Sequence, residues 1–180
     1  MYNNNDLKPV AFDNTHFIYT TNFSGDPARD KFGDPRRKAN IIIPSVEQAK
    51  RLTKIGCKVK QTKPRANDDP ATFQPEYYVV VQTKYRKKDN TPVKYPPSVY
   101  LVTDNNPAVP LNEETIGSLD QIRVKNVNCI ATLRKDEDSD KYSLFAQTMY
   151  VEQDTDFDPY AAMYRERAAR ANEMSDDEPW

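Results

Sequence analysis

The sequence is poor in the residues from which most catalytic and metal sites are built. Its 180 residues include only four glycines, two cysteines and one histidine. The four glycines do not form a phosphate-binding loop motif, and nothing in the sequence places a nucleophile near His16. Two cysteines and one histidine also fall short of the about four ligands that a usual zinc site needs. We therefore expect neither an enzyme nor a bound metal or cofactor.

Long apolar runs are absent as well. The mean hydropathy is −0.88, and no segment approaches the roughly 20 apolar residues that span a bilayer. The first nine residues contain an asparagine run and Asp6, where a signal peptide would be apolar. Cys57 and Cys129 lie in alternating apolar segments, which favours buried free thiols over a disulfide. These features predict a soluble cytoplasmic protein.

The net charge of −1 conceals a strong asymmetry along the chain. Residues 31–110 contain 16 Lys and Arg against 7 Asp and Glu, whereas residues 111–180 contain 8 against 16. The acidic excess is concentrated after Val151. The chain therefore combines a basic body with an acidic tail, and charge blocks of this kind often mark interaction segments.

Hydrophobic periodicity predicts a mainly β chain. Alternating residues indicate strands over 16–23, 38–43, 57–63, 76–86, 99–103, 121–133 and 141–151. Ser45 is the predicted N-cap of a helix that ends at Gly56, with Gln48 able to bond back to Ser45. Asn112 caps one helical turn, and Asp158-Pro159 begins a helix that runs to about residue 172.

These elements favour a small five-stranded OB-fold-like barrel with one covering helix, followed by a C-terminal helix and an acidic tail. The predicted organisation is a loose N-terminal arm over residues 1–14, a single-stranded DNA-binding domain over 15–153, and the helix and tail over 154–180. Val46, Ala49, Leu52 and Ile55 are the residues of the covering helix that we expect to face the barrel.

Binding a single strand of nucleic acid without sequence preference requires cations along the phosphates and exposed aromatic rings on which bases stack. Both residue types are interleaved in the basic body. Tyr77 and Tyr85 share a strand face with Val79 and Val81, so we assign both tyrosines to the core. A solvated strand face is the other interpretation of the lysines, but their clustering favours a binding surface. The residues assigned to DNA binding are Arg37, Lys38, Lys58, Lys60, Lys63, Arg65, Tyr78, Lys84, Arg86, Lys87, Lys88, Tyr95 and Tyr100.

The sharpest short signal is the run Asp176-Asp177-Glu178-Pro179-Trp180. It resembles the Asp-Asp-Asp-Ile-Pro-Phe tip of bacterial single-stranded DNA-binding proteins. The resemblance implies that this tail binds replication proteins such as a polymerase, helicase or primase, and that its acids compete with DNA for the basic groove. Glu178 departs from the isoleucine of that family, and a charged helical segment replaces its Gly and Gln linker. An acidic tail that only aids solubility is the alternative.

The body from about residue 17 to 151 is similar to the small single-stranded DNA-binding proteins of tailed bacteriophages. That resemblance implies an OB-fold that coats and protects single-stranded DNA during phage replication and recombination, in the cytoplasm of the bacterial host. The stretches that carry it are residues 36–43 (RRKANIII), 56–60 (GCKVK), 63–65 (KPR), 97–103 (PSVYLVT), 111–117 (LNEETIG), 119–120 (LD) and 161–164 (AAMY).

Other functions stay open at this point. Asp154, Asp156 and Asp158 have the spacing of a calcium loop, but Pro159 and Arg165 stand where that loop needs Gly and a bidentate Glu. A Mg²⁺-dependent nuclease built on these acids is therefore disfavoured. A non-catalytic protein that acts on a host protein through its acidic tail is the main alternative. An RNA-binding OB-fold is another, because stacking serves DNA and RNA alike. Strand edges could also pair chains into a homo-oligomer.

Overall fold

A computed structural model of the chain describes residues 7–104 and 106–155, together with residues 160, 164, 167, 168, 170 and 171. Those six separate residues are helical, and they lie where a helix is predicted after Asp158-Pro159. Asp158 and Pro159 themselves, the first six residues of the predicted arm and the acidic run 176–180 lie outside the described residues.

The described part of the chain is built mainly of strands, as the periodicity predicts. Between residues 7 and 155 the described chain has one α-helix, α1 (Val46–Ile55), and 3₁₀ segments cover Pro27–Arg29 and Ile116–Gln121. The strands are β1 (Val10–Thr15), β2 (Phe17–Asn22), β3 (Lys38–Ile43), β4 (Lys60–Gln61), β5 (Tyr77–Gln82), β6 (Ser98–Val102), β7 (Val109–Leu111), β8 (Val124–Lys135) and β9 (Tyr142–Gln153).

These strands form one mixed sheet with the order β1-β8-β9-β5-β3-β2. β9 pairs in parallel with β5 near its start and with β6 further along, and it pairs antiparallel with β8. Strand pairing does not close the sheet, because β1 and β2 stand at the two ends of the order. The predicted five-stranded barrel is therefore not confirmed. The chain changes its pairing partner at His16, because β1 pairs with β8 whereas β2 pairs with β3. β1 and β2 are therefore consecutive in the chain but do not pair with each other.

The core lies under one face of this sheet. The register pairs Ala39 with Val81 and Ile41 with Val79, and all four side chains are buried. The alternation of a strand places their neighbours on the opposite face, which we call the outer face. β-Branched residues suit such a half-buried surface, which explains why β3 and β5 are among the strands that the sequence predicts well.

Helix α1 begins and ends where the sequence indicates. The Ser45 hydroxyl accepts a hydrogen bond from the Gln48 backbone N–H at 3.3 Å, and Gly56 ends the helix with a φ of 121°. The predicted return bond from Gln48 to Ser45 is wrong, because the Gln48 amide donates instead to the Ala11 carbonyl at 2.7 Å. Gln48 thus connects α1 to β1.

One residue of the predicted buried face of α1 is also corrected. Ala49 and Leu52 are buried and Ile55 is half-buried, but Val46 is 54% exposed. Val46 is the first residue of the helix, and its side chain does not point toward the sheet.

The loose arm predicted over residues 1–14 is corrected over part of its length. β1 occupies its last residues, pairs with β8 and buries Phe12 completely. Two apolar residues, Val10 and Phe12, among asparagines and aspartates gave too weak an alternation to indicate a strand. The strand predicted over 57–63 shrinks to Lys60–Gln61, and β7 was not predicted.

Cys57 and Cys129 are free and buried, as the sequence predicts. Burial raises the pKa of the Cys57 thiol to about 11, with a contribution from Asp136, and raises that of Cys129 to about 12. In the part of the chain that the structure describes, no helix is long and apolar enough to cross a membrane.

Candidate nucleic-acid interface

Two adjoining depressions lie on the outer face along β9, with volumes of about 790 and 620 Å³. They share four lining residues, so they form one continuous groove, which we call the β9 groove. The shared residues are Lys84, Lys87, Arg134 and Phe145. One aromatic ring surrounded by cations therefore stands at the junction of the two depressions.

The sheet register positions Phe145 on the outer face. Leu144 and Ala146, its neighbours on β9, are buried, so alternation turns the Phe145 ring outward. Phe145 pairs with Thr132 on β8 and with Gln82 on β5. The ring thus lies at the point where β5, β9 and β8 run side by side.

Two cations flank the Phe145 ring. The Lys84 Nζ lies 5.7 Å from the ring centroid, and the guanidinium carbon of Arg134 lies 5.1 Å from it. Cations within about 6 Å of a ring centroid are attracted by the ring quadrupole. Phe145 therefore holds two positive charges beside an aromatic surface that is only half-buried.

A second aromatic ring, Tyr95, lines the same groove and is 78% exposed. The Lys94 Nζ lies 5.4 Å from its ring centroid. Tyr95 follows a tight loop in which the Lys87 N–H donates to the Thr91 carbonyl and the Val93 N–H donates to the Tyr85 carbonyl. This loop returns the chain to the groove, so that Lys87 and Tyr95 line it together.

The cations of the groove divide into paired and unpaired groups. Arg86 pairs with Glu113 at 2.8 Å, which raises the pKa of Arg86, and Lys88 pairs with Glu137 at 3.2 Å. Within the described ranges, four groove cations besides Arg37 have no ion pair with an acidic side chain. These are Lys84, Lys87, Lys94 and Arg134. Acids line only one end of the groove, at the turn between β8 and β9.

Two predicted binding residues are committed to the fold. Arg37 donates to the Phe23 carbonyl at 2.6 Å and stands over the Tyr85 ring at 5.7 Å. The Lys38 ammonium pairs with Asp30 at 3.0 Å and Asp34 at 3.1 Å. Burial alone would lower the pKa of Lys38, but these hydrogen bonds raise it overall. Lys38 therefore holds the loop before β3 and is already neutralised.

Tyr78, Tyr19 and Lys60 form a separate patch on the outer face. The Tyr78 and Tyr19 rings meet edge to face with centroids 5.4 Å apart, and Tyr78 lies opposite Lys60. Tyr78 stands four residues before Gln82 on β5, or about 13 Å from the groove. Lys60 is exposed, and so are three further cations that are close to it in the chain: Lys58, Lys63 and Arg65.

Tyr100 lies at the far end of β9, where it stacks on Tyr150 with ring centroids 4.8 Å apart. The structure therefore brings together Lys84, Arg86, Lys87, Lys88 and Tyr95 in the groove and leaves Tyr78 and Tyr100 at two ends of the outer face. Tyr77 and Tyr85 pack against the core, as predicted.

Sequence reasoning missed Phe145, Arg134 and Tyr150. The signal was present in the alternation of residues 141–151, which places Phe145 and its neighbours Leu144 and Ala146 on opposite faces. A phenylalanine between two aliphatic residues is ordinarily assigned to the core, and only the register shows which face is covered. Arg134 lies beyond the end of the strand predicted over 121–133.

Among the described residues, no three His, Cys, Asp or Glu side chains come together in a way that could hold a metal ion. No protein-family model, curated protein sequence or solved structure matches this chain.

Proposed function

We propose that this protein is a non-catalytic, sequence-independent binder of single-stranded DNA, with the strand lying in the β9 groove. The observation that carries the proposal is the half-buried Phe145 ring between Lys84 and Arg134. A base can stack on the ring when the two cations move from the ring to the phosphates on either side of that base. Neither cation has to break an ion pair of the described residues to do so.

The magnitudes are sufficient for useful affinity. Stacking of a base on an aromatic side chain contributes about 1–3 kcal/mol, and each phosphate contact on a single strand adds about 0.7 to the slope of log K against log salt. Phe145 and Tyr95 supply two rings, and the four unpaired cations supply the phosphate contacts. Because every base has an aromatic face and every nucleotide a phosphate, such a site does not select a sequence.

The surface also continues beyond Phe145. Tyr150 lies five positions after Phe145 on β9, which corresponds to about 16 Å along the strand. Bases stacked about 3.4 Å apart would place several nucleotides over that distance. We propose that the strand runs from Phe145 past Tyr95 toward the stacked Tyr100 and Tyr150 rings.

We further propose that the sheet is a variant of the OB-fold in which β1 and β2 together act as one bent strand that pairs with both β8 and β3. If β1 and β2 are taken as one bent strand, the main strands follow the order β1/β2, β3, β5, β9, β8, and β5 pairs with β9 in parallel. OB-folds are partly open five-stranded barrels whose face binds oligonucleotides. Helix α1 lies between the second and third of these main strands.

The proposed biological role rests on the resemblance to phage proteins given by the sequence. In that role the protein coats and protects single strands during phage DNA replication and recombination in the host cytoplasm. Its acidic run 176–180 recruits replication proteins. The groove alone is equally compatible with RNA, so the strand must be identified by experiment.

The test is a titration of the protein into fluorescent dT oligomers, rU oligomers and duplex DNA at two salt concentrations, followed by anisotropy. We expect salt-sensitive binding to dT and little binding to duplex. Phe145→Ala should weaken dT binding by about 1–3 kcal/mol, or roughly 5- to 150-fold. Phe145→Tyr keeps the ring and is the matched control. Absence of dT binding at low salt would overturn the proposal and favour a protein that acts only through its acidic tail.

A further inference from the structure

A second cavity lies between β1, α1 and β8, and it shares no lining residue with the β9 groove. Its volume is about 550 Å³, and its lining includes Val10, Leu52, Ile55 and Leu133. Leu52 belongs to the core, whereas the other three are only half-buried. The cavity, which we call the α1 pocket, therefore offers an apolar surface that the described residues leave uncovered.

Three exposed cations line this pocket, and no acid does. They are Lys8 before β1, and Arg51 and Lys54 on successive turns of α1. Within the described part of the chain, none of the three forms an ion pair. The fitting occupant is a large apolar side chain next to several carboxylates, because both the surface and the charge would then be complemented.

The chain itself contains such a segment. Asp176, Asp177 and Glu178 precede Trp180, the single tryptophan of the sequence. Residues 172–180, which follow the last described residue, span up to about 30 Å when extended. That reach is about twice the radius of gyration of roughly 16 Å expected for a compact chain of this length.

We propose that the segment 176–180 docks in the α1 pocket of its own chain, with the Trp180 indole on the apolar surface and the acids beside Lys8, Arg51 and Lys54. The β9 groove suits this segment less well, because acids from the turn between β8 and β9 line one end of it. Docking at the α1 pocket leaves the groove open. It also makes the segment unavailable to any other protein until it is released.

The single tryptophan makes the proposal directly measurable in the full chain. Fluorescence excited beyond the absorption of tyrosine reports Trp180 alone, and acrylamide quenching reports whether solvent reaches it. At low salt we expect blue-shifted emission and weak quenching. Arg51→Glu should shift the emission to the red and increase the quenching constant severalfold, toward the value of the urea-unfolded chain.

Lys50→Glu is the matched control, since Lys50 is the adjacent exposed position on α1 and does not line the pocket. It should leave Trp180 protected. The proposal is overturned if Trp180 is fully quenched in the unmodified protein, or if Lys50→Glu and Arg51→Glu release it equally. If Lys87→Glu exposed Trp180 and Arg51→Glu did not, the segment would be bound in the β9 groove. If diluting the protein exposed Trp180, the segment would be bound to a second copy of the chain.

These measurements contain no nucleic acid. Their outcome is therefore independent of whether the β9 groove binds a single strand.

Discussion

Tyr100 and Tyr150 are register partners on β6 and β9, and their rings stack with planes only 14° apart. Each ring covers one face of the other, and Tyr150 remains 42% exposed. The sequence singled out Tyr100, but the pairing makes the two rings a single platform. A base that reaches this end of the outer face would meet Tyr150 as well as Tyr100.

We expect Tyr150→Ala to weaken binding to dT oligomers by about 1–3 kcal/mol, because it removes an aromatic surface at the far end of the proposed path. Tyr150→Phe should bind as the unmodified protein does, since the ring and its stacking on Tyr100 are kept. Anisotropy titrations with short and long oligomers measure both variants. If Tyr150→Ala binds long oligomers with unchanged affinity, the strand does not extend to this platform.

The candidate site could be predicted only in part from the sequence. Lys84, Lys87 and Tyr95 were assigned to binding because cations and aromatics alternate there, and all three line the groove. Arg134 and Phe145 were not assigned, since their role depends on the parallel pairing of β5 with β9. No local pattern encodes that pairing, because the two strands are about 60 residues apart in the chain.

Arg134→Gln should reduce the salt dependence of dT binding. An unpaired cation that contacts one phosphate contributes about 0.7 to the slope of log K against log salt for a single strand, so the slope should fall by about that amount. Lys50→Gln, which removes an exposed charge on α1 away from the groove, should leave the slope nearly unchanged. An unaltered slope for Arg134→Gln would mean that Arg134 does not meet the phosphates.

Asp120 should be one of the most sensitive positions for stability. Its side chain is fully buried and accepts hydrogen bonds from the Thr21 hydroxyl at 2.7 Å and from the Phe23 and Ser24 backbone N–H groups at 2.9 Å. Arg29 stands 3.4 Å from it. Asp120→Ala leaves these donors unpaired in the interior, so we expect the free energy of unfolding to fall by about 3 kcal/mol in urea titrations.

Glu114→Ala is a suitable comparison for Asp120→Ala. Glu114 is exposed and lies near the same 3₁₀ segment, so its loss should change stability by less than about 0.5 kcal/mol. Equal effects of the two substitutions would show that the Asp120 contacts contribute little to the fold.

Local chemistry predicted the individual elements better than their arrangement. The cap at Ser45, the stop at Gly56 and the alternation of β3 and β5 are properties of neighbouring residues, and each was read correctly. The change of partner at His16 is not local, because β1 pairs with β8 more than 100 residues away while β2 pairs with β3. The difference between a closed barrel and an open sheet depends on that change of partner.

The buried thiols predict a loss of stability at alkaline pH. Unfolded thiols lose their protons near the ordinary pKa of 9.0, whereas burial raises the folded pKa to about 11 for Cys57 and about 12 for Cys129. Above pH 9 the unfolded state therefore binds fewer protons than the folded state, and stability falls as pH rises. Each thiol contributes at most about 1.4 kcal/mol per pH unit to this fall.

Cys129→Ala separates this effect from the titration of lysines and tyrosines in the same range. Urea unfolding of both proteins between about pH 8 and pH 10.5 should show a shallower fall for the variant, although its stability at neutral pH is lower because a small cavity is created. Parallel curves would mean that the Cys129 thiol ionises as readily in the folded protein as in the unfolded chain. A shallower curve for Cys129→Ala would show that the buried Cys129 thiol, on the strand between β1 and β9, keeps its proton in the folded protein. The unfolded thiol is already ionised at the same pH.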